Sequence, residues 1–80
     1  MEEKIAVVAI IVKDTESTEK VNSILHEYRD YVVGRFGIPY KKKNVNVISV
    51  VVDAPQETIN GLSGKLGMID GVSSKVLTTK

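Results

Sequence analysis

The sequence predicts an α+β protein of the ferredoxin-like type: a βαββαβ sandwich in which a four-stranded antiparallel sheet carries two helices on one face. Three observations predict it. Val and Ile number 21 of the 80 residues, against four Leu, two Met, one Phe, three Tyr and no Trp, and β-branched side chains favour pleated surfaces. These residues gather in runs separated by two stretches of helical periodicity. The strand–helix–strand plan also occurs twice, in half-chains about 40 residues apart.

The run Ile5 to Val12 is continuously apolar, as suits a strand buried on both faces. Asp14, Thr15 and Ser17 supply N-cap chemistry, their oxygens accepting from free first-turn amides. Val21, Ile24, Leu25 and Tyr28 follow at i, i+3, i+4 and i+7, one face of a helix. Tyr31 to Phe36 reads as a second strand ended by Gly37 and Pro39, and Tyr40 to Asn44 as a long hairpin loop. Val45 to Val52 is the third strand. Asp53 is the expected cap of a second helix, with Pro55 in its first turn and Gln56 at capping-box spacing. Ile59, Leu62, Leu66 and Ile69 share a face of that helix, Gly67 or Gly71 stops it, and Val72 to Thr78 closes the sheet. The first and third runs are the apolar ones, as the two central strands of this fold require. The other two carry Gly34 and Arg35, or Ser73, Ser74, Lys75 and Thr78, as edges do.

Residues 1–80 are expected to form one domain. Apolar residues make up 42% and charged residues 26%, with a formal charge of +1. No strong field draws such a chain to nucleic acid or anionic membrane. Without cysteine there is no disulfide framework, thiolate metal site or cysteine nucleophile. The acidic start at Met1 to Lys4 and an eight-residue apolar run read as neither signal peptide nor membrane span, so a whole, cytoplasmic chain is expected.

Two helices cover one face of a four-stranded sheet, and the other face should be polar at alternate positions. It is not. In the first strand Ile5, Val7, Ala9 and Ile11 oppose Ala6, Val8, Ile10 and Val12; in the third, Val45, Val47 and Val51 oppose Ile48, Val50 and Val52. Left in water, either set makes a larger apolar patch than soluble monomers tolerate. A homo-oligomer, dimer or tetramer, packed sheet on sheet is therefore expected. The sequence does not distinguish the two faces; Val8, Ile10, Ile48 and Val50 are assigned to the oligomer.

Candidate sites are sparse. RNA-recognition domains share this element order but stack bases on aromatics in the first and third strands, where this chain has none. Lys13 to Glu16 is not the arginine loop of an acylphosphatase. Gly64 and Lys65 do not fit the phosphate-loop spacing, and Gly61 to Lys65 does not fit the KH clamp. Gly61, Gly64 and Gly67 are expected to bring the helix close to the sheet or to a neighbouring subunit. Arg35, Gly37, Tyr40, Gly64 and Lys65 are the candidate ligand-binding or interface residues; Tyr28, Tyr31 and Phe36 join Tyr40 in one short aromatic stretch. His26 and Asp30 stand at i, i+4, an acceptable metal-ligand spacing but only two ligands. Lys41 to Lys43 reads as a solvated loop. No nucleophile–base–orienter set can be assembled, so no catalytic residue is assigned and no cofactor is identified.

At Val33 to Pro39 and Leu62 to Gly67, together with Leu25 to Tyr28 and Gly71-Val72, the sequence resembles the iron-only hydrogenase system regulators across essentially its whole length. That resemblance implies an ACT-like fold, similar also to the ligand-binding half of nickel-responsive repressors, which assemble through their sheets. It further implies a regulatory, effector-sensing role in hydrogenase expression or maturation. Of the several histidines and the cysteine of the nickel site this chain has only His26 to contribute, and it lacks the ribbon-helix-helix domain that would bind DNA and the glycine of the ACT ligand loop; direct DNA binding is not expected. The alternatives are an assembly factor that binds protein alone, or a divalent-metal sensor using His26 and Asp30 across subunits.

Overall fold

The computed structural model describes residues 3–79. Four strands, β1 (Glu3–Val12), β2 (Val32–Tyr40), β3 (Val45–Pro55) and β4 (Val72–Thr78), alternate with helices α1 (Thr15–Glu27) and α2 (Gln56–Gly67) in the order βαββαβ. All pairings are antiparallel, and the sheet order is β2-β3-β1-β4. The two apolar runs are thus the central strands, as the sequence indicates.

Both helices lie on one face. Beneath them Ala6, Val8, Ile10 and Val12 from β1 and Ile48, Val50, Val52 and Ala54 from β3 pack against Val21 and Leu25 of α1 and Ile59, Leu62 and Leu66 of α2. Fully burying each larger aliphatic side chain contributes about 1.5–3 kcal/mol. Val8, Ile10, Ile48 and Val50, assigned from the sequence to the oligomer, belong instead to this core and so cannot form a sheet-to-sheet interface; the opposite set is the one left exposed. The helices take the even-numbered residues because the register pairs Val8 with Val50 and Ile10 with Ile48 on their side.

Several local expectations shift. Asp14 caps α1, its Oδ1 accepting from the Glu16 amide at 3.0 Å. Ser17 is buried instead, donating its hydroxyl to the Asp70 carbonyl at 2.8 Å. Gly71 adopts φ +78°, and a Cβ there would stand 3.1 Å from that of Asp14. Its carbonyl accepts from the Lys13 amide at 2.7 Å. The turns preceding α1 and β4 are therefore locked together where only glycine fits without strain.

Tyr31 belongs to a 3-10 turn, Arg29–Tyr31, and β2 runs on through Gly37 and Pro39 to Tyr40. An edge strand is where a sheet accommodates proline's missing donor. The loop that follows is correspondingly short: a turn over Lys41–Lys43 and Asn44 at φ 53°, a left-handed conformation that asparagine tolerates. β2 also carries a bulge between Val32 and Gly34. Asp53 does not cap α2, because it pairs with Ile5 inside the sheet. Pro55 takes the cap position without a side-chain bond. Gln56 instead accepts from Lys4 Nζ at 3.2 Å and donates to Asn60 at 2.8 Å.

Candidate functional site

Two surfaces are left unfilled by this packing. The first is the sheet face away from the helices. The pairing aligns the exposed side chains of neighbouring strands in rows: Val51, Val7 and Leu77; Phe36, Ser49, Ala9 and Lys75; Ile38, Val47, Ile11 and Ser73. Phe36 is 61% exposed and Leu77 73%, while Val7 at the centre of the sheet remains 37% exposed. Ile5 and Tyr40 extend the patch along the strands. Ser49 and Ala9 are small, so the middle row is a trough beside Phe36. A hollow of about 350 Å³ lies over Ala9, Ile11 and Ser73 to Lys75. Polar groups on this face include Lys75 and Ser73 toward one edge, Asp53 opposite Ile5, and the small Ser49; the rest of the rows are apolar.

The second surface is a cleft between α1 and β2. α1 sits over β1 and β3, and edge strand β2 turns Arg35, Gly37 and Pro39 toward the space beside it. None of these is a large apolar side chain that would fill that space. A cavity of about 270 Å³ opens there, lined by Thr18, Asn22, Arg35, Gly37, Ile38, Pro39, Asn46 and Ile48. It adjoins one of about 290 Å³ reaching Leu25, His26 and Arg29, and one of about 140 Å³ reaching Tyr40, Lys41 and Asn44. Arg35 Nη2 donates to Asn22 Oδ1 at 2.7 Å, and Asn46 Nδ2 donates to Thr18 Oγ1 at 2.9 Å, so β2 and β3 are tied to neutral acceptors on the helix.

The expected ligand residues therefore divide. Arg35 and Gly37 come together in the α1–β2 cleft, whereas Tyr40, whose register puts it with the open face, borders only the smaller hollow at the end of β2. Gly64 and Lys65 lie on α2, where Lys65 Nζ pairs with Glu27 at 3.0 Å and rests 5.2 Å from the centre of the Tyr28 ring. The Glu27 carboxylate, as hydrogen-bond and charge partner, raises the Lys65 ammonium above its ordinary pKa. These contacts join the ends of the two helices. Of the three α2 glycines, only Gly61 allows a close approach, and the approach is to the helix α1: a Cβ would meet the Tyr28 hydroxyl at 3.1 Å. Gly64 and Gly67 face open space.

His26 lines the cleft beside Arg29, whose Nη1 donates to the His26 carbonyl at 3.0 Å. Among the described residues no group of three or more His, Asp or Glu gathers as metal ligands, so His26 and Asp30 complete no site within one chain. Asn22, Thr18 and Asn46 complete the cleft and were not singled out by sequence. The four-residue spacing of Thr18, Asn22 and His26 is their one local signal. No helix among the described residues is long and apolar enough to cross a membrane.

Comparison with known proteins adds a family to this geometry. No curated protein matches the chain. A solved structure does: the uncharacterized protein TM1266 from Thermotoga maritima is 32% identical, covers 99% of this chain and 100% of its own, and superposes with a TM-score of 0.94. A formyltetrahydrofolate deformylase from Pseudomonas putida KT2440 is 16% identical over 91% of this chain and 28% of its own, with a TM-score of 0.66, a likeness of fold alone. The family model described as "Iron-only hydrogenase system regulator, putative" matches residues 4–76. With nearly the whole chain matched and the fold shared throughout, the chain belongs to the TM1266-like family of iron-only hydrogenase system regulators.

Proposed function

We propose that this protein is a non-catalytic, cytoplasmic regulatory module of an iron-only hydrogenase system, which senses a small effector as a homo-oligomer built on the open sheet face. The observation that carries the reading is the run of exposed apolar side chains from Phe36 through Val47 and Val7 to Leu77, opposite a core already filled by both helices. Contiguous exposed apolar surface of this kind marks an interaction site. Because the same patch is present on every copy, a two-fold pairing buries it on both partners at once. The family description supports the regulatory role. The near-neutral charge supports action through protein or effector contacts rather than through DNA.

Light scattering of the purified chain tests this reading, the expected result being a stable multiple of 8.8 kDa at micromolar concentration. A gel-shift assay on the same material is expected to show no salt-resistant, sequence-specific DNA complex. A monomeric mass throughout, or a specific DNA complex, overturns the proposal.

A further inference from the structure

We infer that the α1–β2 cleft is a binding site for a small organic carboxylate, with Arg35 as its charge partner and Gly37 keeping its floor open. This rests on the effector-sensing reading above and specifies its site and ligand class. The first support is charge. Among the described residues the three adjoining cavities are lined by Arg29, Arg35, His26 and Lys41 and by no carboxylate; Glu16 and Glu19 line a separate hollow that meets only the smallest of the three, at Thr15. Among the described residues, the single hydrogen bond of the Arg35 guanidinium goes to a neutral amide, Asn22. No carboxylate among the described residues pairs with it, and its remaining planar donors match a carboxylate.

The second support is shape. Gly37 pairs with Ile48 on the helix-facing side, yet a Cβ built on it meets nothing within 4 Å. The glycine is required neither by backbone strain nor by a close neighbour; what it leaves is empty volume one residue-pair along the strand from Arg35. Pro39 and Ile48 give that volume an apolar wall, while Asn22 and Asn46 add polar groups above it. A charged head beside Arg35 with a short hydrocarbon body over Gly37 matches both halves.

Nitrogen-15 amide NMR titration with hexanoate tests the site, with hexanamide as the uncharged analogue and inorganic phosphate as the other anion. Saturable shifts centred on Asn22, Arg35 and Ile48 are expected with hexanoate, and none with hexanamide. Arg35→Gln is expected to weaken binding roughly ten- to a hundredfold, the scale of one charged hydrogen bond. Gly37→Leu is expected to abolish binding while the spectrum stays folded, because a Cβ at this position meets nothing within 4 Å and the added side chain starts from the open floor of the cleft. Shifts for phosphate but not hexanoate, shifts elsewhere, or unchanged affinity in Arg35→Gln each overturn the inference. Light scattering on the same samples separates the two ideas: a monomer that still binds hexanoate in the cleft refutes the oligomeric reading alone, and an oligomer that does not bind it refutes this one alone.

Discussion

Val7 and Val8 are adjacent on β1 and face opposite ways, so an aspartate at each asks two different questions of one strand. Val8 is 0% exposed within the core. An unpaired carboxylate there is expected to cost more than about 4 kcal/mol. A chain of this length has on the order of 4–12 kcal/mol in total. Val8→Asp should therefore remove a third or more of the stability, and all of it at the lower end of that range. Val7 lies on the open face, across from Val51 and Leu77, with 37% of its surface accessible in the single chain. In an isolated protomer, Val7→Asp should cost at most about 1 kcal/mol, the spread of strand preferences.

In a face-to-face dimer the position counts twice. Completing the burial of two valines contributes about 1–2 kcal/mol. Two carboxylates enclosed without partners add several kcal/mol each. A combined penalty of at least about 5 kcal/mol corresponds to more than three decades in the dimer dissociation constant. Light scattering across a dilution series, read beside far-ultraviolet circular dichroism, is the assay. The expected result is a folded monomer for Val7→Asp and a strongly destabilised chain for Val8→Asp. A Val7→Asp protein with the parent's mass would refute the assignment of this face to self-association.

Two glycines make contrasting predictions. Gly71→Ala should lower stability by about 1–2 kcal/mol from its left-handed backbone alone, with a further loss from crowding Asp14, visible as a drop in thermal midpoint. Gly64→Ala, on the solvent side of α2 with nothing within 4 Å, should stabilise the helix by about 1 kcal/mol. The midpoint should then rise by about 4–8 °C. A fall for Gly64→Ala would show that this position is covered by something outside the chain.

Element order was legible because the apolar runs are dense and their separators carry helical spacing. Central and edge strands separated for the same reason: Ile5 to Val12 and Val45 to Val52 differ visibly from strands holding glycine, arginine and lysine. Which face the helices take was not legible. Alternation reveals a buried face only when the other is polar, and here both faces of β1 and β3 are aliphatic. The capping role expected of Asp53 was lost to a longer strand, since pairing with Ile5 outweighs one exposed cap. The cleft was half legible: Arg35 and Gly37 stood out by type, whereas Asn22, Thr18 and Asn46 become partners only when β2, β3 and α1 are brought side by side.

The irregularity between Val32 and Gly34 has a consequence for how the two surfaces are inherited. Val32 faces the helices opposite Val52. Carried on without interruption, its alternation would send Phe36, Ile38 and Tyr40 beneath α1 and leave Arg35, Gly37 and Pro39 on the open sheet. One supernumerary residue reverses that parity for the rest of β2. The same insertion thus supplies the aromatic edge of the sheet face and vacates the space beneath α1. What residue 33 is made of matters little; that it is there decides both. Along β2, length variation rather than substitution is the change that would exchange the two surfaces, and it would exchange them together.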